Sequence, residues 1–196
     1  MRTFLAELRI SVLLTLVFAL LLCGAYPLAV WAVAQACFPR EANGSLVADA
    51  QGVVRGSRLL AQRFAGERYF QPRPSAAGTG YDAASSSGTN LGPTSRKLRD
   101  GIAAAIAAYR SANGLASDAA VPADAVTFSG SGLDPHISPG NAGLQAARVA
   151  RARRLPLERV LALVAAHTEG RDLGLFGEPR VNVLELNLAL ARLDAR

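Results

Sequence analysis

The residues best suited to chemistry lie in one stretch, Val126-Thr127-Phe128-Ser129-Gly130-Ser131-Gly132-Leu133-Asp134-Pro135-His136-Ile137-Ser138. Ser129, Ser131, Asp134 and His136 supply two hydroxyls, a carboxylate and an imidazole. Those types make a hydrolytic relay when a serine donates to a histidine oriented by a carboxylate. The spacing of Ser131, Asp134 and His136 argues against one, because relay partners within six positions rarely reach that geometry. Gly-x-Ser-x-Gly is also absent from the chain. A second chemistry is anion binding. The glycine turn and the helix start at Ser138-Pro139 present free N–H groups of the kind that hold phosphates or carboxylates, with Arg148 and Arg151 as charge partners. A third reading is structural. Ser129, Ser131, Asp134 and His136 are then hydrogen-bonded turn residues, with Asp134 capping the following backbone and His136 bonding a carbonyl. Gly130 and Gly132 allow positive φ and close backbone approach. A zinc site is not expected: His136 and His167 are the only histidines, Cys23 and Cys37 the only cysteines, and none has ligand spacing.

The elements that position this stretch follow from local pattern. Val126, Thr127 and Phe128 read as a short strand. Ser138 is the N-cap and Pro139 the first residue of a helix running to about Arg154, with Ala142, Ala146, Val149 and Ala150 inward. Pro156 starts another helix, with Leu157, Val160, Leu161 and Val164 inside, ending near His167. Thr168-Glu169-Gly170-Arg171 is a turn, and Leu175 to Arg180 an ordered loop. Asn182 caps the last helix, from Val183 to about Leu193. Upstream, Thr94 caps a helix to about Arg110 with an apolar stripe of Leu98, Ile102, Ala105, Ile106 and Tyr109. Two short strands, Ser45–Ala48 and Val53–Ser57, flank a turn at Asp49–Gly52. Arg58 to Phe64 is compatible with a strand or a short helix. Prolines at 72 and 74 forbid regular structure over Glu67 to Ser75. Ala76 to Pro93 is rich in Gly, Ser and Ala, but Tyr81-Asp82 and Asn90-Leu91-Gly92-Pro93 are specific turn chemistry, so it reads as an ordered loop. Asn90 is a turn residue.

The N-terminus is different in kind. After a polar tail, residues 1–9, no charge occurs from Ile10 to Phe38. Such a run spans roughly 30 Å of hydrocarbon as a helix. Tyr26 and Trp31 suit the interface, and Gly24 and Pro27 are sites for a kink. Cys23 and Cys37 would sit roughly 21 Å apart on one helix, too far to bridge. Ala32-Val33-Ala34 resembles a signal-peptidase site, but the apolar region greatly exceeds that of a signal peptide. Arg2 and Arg9 favour a cytoplasmic N-terminus and an extracytoplasmic domain.

The formal net charge is +6, with Lys97 the only lysine. The densest basic run, Arg148, Arg151, Arg153, Arg154 and Arg159, reads as a solvated helix face, with a phosphate or anionic-lipid contact as the alternative. No nucleic-acid motif occurs. The expected class is α+β: a tail (1–9), one transmembrane helix (10–38), and a single soluble extracytoplasmic domain (39–196) of a small sheet, formed by the early hairpin and the Val126 strand, with helices packed on it.

Several uncommon blocks in one order carry a resemblance: Tyr69-Phe70 with Arg73-Pro74-Ser75; Ser87-Gly88-Thr89-Asn90-Leu91-Gly92-Pro93-Thr94; Ser129 to Ser138; His167 to Arg171; and Gly177 to Asn187. Together with the membrane helix they resemble the C subunit of Kdp-type potassium-transporting P-type ATPases, over nearly the whole chain. Phe128 and Thr89 depart from the pattern, where a small residue and a serine are expected. The resemblance implies a non-catalytic accessory subunit of an ATP-driven potassium importer in the bacterial inner membrane. Its partners would be a channel-like subunit, a P-type ATPase subunit and a small single-helix subunit. No phosphorylation (Asp-Lys-Thr-Gly) or Walker motif occurs in the chain. The family has been described as a catalytic chaperone that raises the pump's ATP affinity. Gln145 matches the glutamine proposed to touch nucleotide; from the residues alone it is an ordinary polar helix position. The resemblance implies no tightly bound cofactor, with ATP reached through the complex. A domain outside the membrane cannot touch cytoplasmic ATP, so a stabilising or gating role at the outer mouth of the potassium pathway is the alternative, any effect on ATP then being allosteric.

Overall fold

The computed structural model describes residues 2–194, so Met1 of the polar tail and residues 195–196 of the soluble domain lie outside the described residues. The chain divides into two compact units, one up to Ser45 and one from Leu46 onward.

The first unit is helical. Helix α1 (Arg2–Phe18) passes through a π-helical segment (Ala19–Ala25) into α2 (Tyr26–Cys37), followed by the short α3 (Pro39–Ala42). Residues 2–9 of the polar tail are therefore part of the helix. Thr3–Cys37, 35 residues whose most apolar 18-residue window has a mean hydropathy of 2.3, is long and apolar enough to cross a membrane. The π segment has a local cause. Pro27 offers no N–H, and the ladder reroutes through wider turns before it: the Tyr26 N–H donates to Leu21 O, five residues back.

The second unit opens with an antiparallel hairpin, β1 (Leu46–Ala48) and β2 (Val54–Ser57). Asp49 builds its turn: the carboxylate accepts the N–H groups of Gln51 and Val53 at 3.0 and 2.9 Å. A separate three-stranded antiparallel sheet has the order β3 (His136–Ile137), β5 (Arg180–Asn182), β4 (Thr168–Glu169). The long helices are α4 (Arg96–Asn113), α6 (Pro139–Arg153), α7 (Leu157–Ala166) and α8 (Val183–Asp194), with a single turn α5 (Ala123–Val126) before the serine-rich loop. The core gathers Ile137 and Val181 from the sheet, Ala142, Ala146 and Val149 from α6, Val160 and Val164 from α7, Leu186 and Leu190 from α8, and Phe70 from a loop. The architecture is mixed α+β, as the patterns imply.

Five local expectations are corrected. Val126 does not form a strand: Pro122 and Asp124 start a helical turn there, and Thr127 donates both its N–H and its hydroxyl to Ala123 O. The sheet is built from residues expected in turns and loops, because two- and three-residue strands carry no periodic signal. Ser95, not Thr94, caps α4, accepting the Leu98 N–H at 3.3 Å. On α7 only Val160 and Val164 are buried, while Leu157 and Leu161 are exposed. Residues 58–64 form neither strand nor helix. The other caps stand: Ser138 Oγ accepts the Asn141 N–H at 3.1 Å, and Asn182 Oδ1 accepts the Glu185 N–H at 3.2 Å.

Of the two glycines in the serine-rich loop, only Gly132 is sterically required. Its φ is +70°, and a Cβ there would lie 2.7 Å from Ala77 N and 2.8 Å from Ser87 O, both backbone atoms. A Cβ on Gly130 would meet nothing within 4 Å. Gly132→Ala is expected to destabilise the purified chain by about 2–4 kcal/mol, and Gly130→Ala by less than about 0.5 kcal/mol. Thermal denaturation of the two variants side by side checks the contrast, and equal melting temperatures would contradict it.

Candidate functional site

Residues 66–72 cross the core without forming a helix or strand, yet Phe70 is fully buried. Buried backbone must find hydrogen-bond partners, and here side chains supply them. Asn187 on α8 clamps Phe70 at both ends: its Oδ1 accepts the Phe70 N–H at 2.9 Å and its Nδ2 donates to Phe70 O at 3.0 Å. Gln145 on α6 does the same to the next residue, accepting the Gln71 N–H at 2.7 Å and donating to Gln71 O at 3.1 Å. Arg148 reaches Glu67 O at 2.5 Å and Tyr69 O at 3.1 Å. Arg153 reaches Arg68 O at 2.6 Å, with its guanidinium 5.2 Å from the centre of the Tyr69 ring. The segment is a strap pinned by two amides and two arginines.

This corrects the reading of the basic run. Arg148 and Arg153 are buried, whereas Arg151, Arg154 and Arg159 are exposed. Burial lowers the pKa of the Arg148 guanidinium, while the Tyr109 hydroxyl and the Glu67 carboxylate counteract it. Sequence reasoning also missed Asn141 and Asn187. The signal for the first was available: Asn141, Gln145 and Arg148 recur at helical spacing beside Ala142 and Ala146, a polar stripe next to a small one.

Gln145 is 1% exposed, and its four valences are filled. Besides the two bonds to Gln71, its Oε1 accepts from Arg148 Nη2 at 2.9 Å and its Nε2 donates to Asn141 Oδ1 at 2.9 Å. Asn141 Oδ1 also accepts the Tyr109 hydroxyl at 2.8 Å, and Arg148 Nε donates to Asn113 Oδ1 at 2.9 Å. Burial, with the Asp124 charge, raises the Tyr109 pKa far above that of a free phenol, so Tyr109 is a donor. Beside this network lies an open cavity of about 410 Å³ whose wall includes Phe64, Gln71, Tyr109, Asn113, Gln145 and Arg148.

The N-terminus of α6 already holds an anion. The Asp124 carboxylate accepts the Ser138 N–H at 2.7 Å, the Ser138 hydroxyl at 2.9 Å and Asn141 Nδ2 at 2.9 Å. The helix start proposed for an external phosphate is thus occupied by a side chain from α5.

In the serine-rich loop, Ser129 Oγ accepts the Gly132 N–H and Ser131 Oγ the Leu133 N–H, both at 3.1 Å, and the two hydroxyls lie 3.2 Å apart. The loop is laced to the Gly/Ser-rich segment: Ser87 N–H donates to Ser131 O at 3.0 Å and the Ser75 hydroxyl to Gly132 O at 2.7 Å. Asp134 caps the backbone as expected, accepting the His136 N–H at 3.0 Å. The His136 ring faces Asp134, Nδ1 to Oδ1 3.6 Å, rather than a carbonyl, and Arg73 Nη1 lies 2.9 Å from Asp134 Oδ2. Ser131 holds its hydroxyl within its own turn, against Ser129 and the Leu133 N–H, while Asp134 and His136 brace the loop together with Arg73. Asn182 lies opposite His136 across the β3–β5 pair and donates to Arg58 O at 2.8 Å. Asn90 and Gly92 stand apart on an exposed turn, with Asn90 at φ +52°.

A family model described as KdpC, the c chain of K+-transporting ATPase, matches residues 8–192. The chain belongs to the KdpC family. A protein of Myxococcus xanthus is 58% identical over 192 residues, covering 97% of this chain and 88% of the relative. One of Rhodospirillum rubrum is 56% identical over 186 residues, 95% of each. One of Mycobacterium tuberculosis is 54% identical over 178 residues, 91% of this chain and 94% of the relative. All three are named potassium-transporting ATPase KdpC subunits. The glutamine singled out by resemblance to the KdpC family is thus the central member of the strap network.

Two predictions follow from this geometry. Gln145→Ala leaves the Gln71 backbone, Asn141 and Arg148 short of partners and is expected to destabilise the chain by more than about 3 kcal/mol; thermal melting checks it. Asp134 sets an acid limit. Burial pushes its carboxyl up, but the His136 ring, the His136 N–H and Arg73 outweigh burial and hold it at about 2, below the unfolded value of 3.8. Its stabilisation is complete above about pH 4 and is lost as pH falls through about 2, on the order of 1–2 kcal/mol. Asp134→Asn is expected to flatten the fall in melting temperature across that window. An unchanged slope would assign the acid sensitivity elsewhere.

Proposed function

We propose that this chain is the membrane-anchored accessory subunit of an ATP-driven potassium-transport assembly, and that its folded domain stabilises the assembly instead of performing chemistry. One observation carries the proposal: the match to the KdpC family over residues 8–192, with relatives named as KdpC subunits of a potassium-transporting ATPase at 54–58% identity. The geometry supports it. The polar residues that suggest a site from sequence are committed to bracing loops, which is what a rigid docking module requires. We place the assembly in the bacterial inner membrane, with the N-terminus of this chain cytoplasmic and the domain from Leu46 onward outside. Its partners would be a channel-like subunit, the P-type ATPase subunit and a small single-helix subunit.

A second reading has its own observation. The cavity beside Gln145 and Arg148 is about 410 Å³ and open, and Gln145 is the residue the family resemblance links to nucleotide. On that reading the domain raises the ATP affinity of the pump subunit by direct contact, and it must lie in the cytoplasm.

Protease accessibility of the Ala76–Pro93 loop separates the two. Cleavage is expected in intact spheroplasts and not in inverted vesicles. The reverse pattern would overturn the orientation and favour nucleotide contact. The subunit role itself is checked by affinity purification of the tagged chain from membranes. Potassium-dependent ATPase activity is expected to travel with it, and its absence would sink the proposal.

A further inference from the structure

Between β4 and β5 the chain forms a finger, Arg171 to Glu178, whose tip is Leu173-Gly174-Leu175-Phe176. Leu173, Leu175 and Phe176 are 93%, 69% and 61% exposed. Single exposed apolar residues are ordinary, but three large ones on one four-residue tip are not. Leu173 carries a second penalty: its φ is +54°, a left-handed conformation that glycine or asparagine adopts at lower cost. One residue thus pays for both conformation and hydration, a combination that points to use.

The finger is also held in shape. Asp172 N–H donates to Phe176 O at 2.8 Å and Phe176 N–H to Asp172 O at 2.9 Å, with Gly174 N–H on Arg171 O at 3.0 Å. At its base Arg171 grips both Glu178 oxygens at 2.9 and 2.8 Å, and Arg180 both Asp172 oxygens at 3.2 and 3.1 Å. Exposed pairs of this kind add little stability each, but they settle where the charges point.

We propose that this finger is an anchor that seats in an apolar pocket of a neighbouring protein subunit. The proposal rests on the accessory-subunit reading above. Preorganisation favours an anchor, because little freedom is lost on docking. Charge chooses protein over lipid. An anionic membrane surface is recognised by unpaired cations beside an apolar tip. Here Arg171 is paired with Glu178, Arg180 with Asp172 and Glu169, and Arg58, which reaches the β4 end of the unit, with Glu169 and Glu185, so each of these three cations is met by a carboxylate.

The test uses the intact assembly in its native membrane, with a photo-crosslinking amino acid at position 176 and, as an exposed control, at Thr79. A crosslink from position 176 to a different subunit, above the control, is expected. Crosslinking to lipid alone, to a second copy of this chain, or no more than at Thr79 would overturn the proposal. Leu173→Asn separates docking from folding. It relieves both penalties, so the melting temperature of the chain is expected to hold or rise, while co-purification with the other subunits falls at least several-fold. Unchanged co-purification would overturn the anchor. If the wild-type chain brings down no potassium-dependent ATPase at all, the subunit reading itself has failed.

Discussion

The domain depends on satisfying the backbone of a buried segment that has no strand or helix to lie in. Phe70 fills the core between α6, α8 and the small sheet, and its peptide groups go in with it. Leaving such groups bare costs about 1–3 kcal/mol each. Asn187 and Gln145 solve this by offering one acceptor and one donor each, the same pair a neighbouring strand would offer, to consecutive residues. Arg148 and Arg153 complete the pattern with donors to the carbonyls just upstream.

The rest of the polar interior is an extension of that solution. Gln145 is held by Asn141, Asn141 by Tyr109 and Asp124, and Asp124 in turn holds the start of α6 at Ser138. The helix that carries the clamp is therefore positioned by the network it anchors. Partly satisfied networks of this kind are worse than apolar packing, and complete ones specify a single arrangement. The small faces of Ala142 and Ala146 let the partner elements come close enough to close it. The serine-rich loop is braced separately, through Gly132 packed against the Ala77 and Ser87 backbone and through Asp134 between Arg73 and His136.

The accessory role proposed above would call for this kind of rigidity. Its loops are irregular, yet they are tied by hydroxyls, carboxylates and amides into fixed surfaces. The residue types that look catalytic in sequence are the same types that tie loops, because both tasks require short polar side chains with directional hydrogen bonds. Ser129, Ser131, Asp134 and His136 illustrate the overlap.

Much was legible in the chain itself. The apolar helix follows from a charge-free run longer than a bilayer is thick. The caps at Ser138 and Asn182 and the turn at Asp49 follow from local chemistry, which acts over three or four residues, whereas glycine is needed at 132 and not at 130 because the Ala77 and Ser87 backbone packs there. The ordered blocks from Tyr69 to Asn187 were enough to indicate the family. Other features were decided by tertiary structure. A three-stranded sheet of two- and three-residue strands has no periodicity to detect, and Val126 went to a helical turn because Asp124 is needed at the start of α6. Whether Arg148 faces water or a buried carbonyl depends on what crosses over it, and that segment lies about eighty positions earlier in the chain. Gln145 is an unremarkable helix residue until Gln71 is laid against it. Local sequence determines which groups need partners; only the folded chain determines which partners arrive.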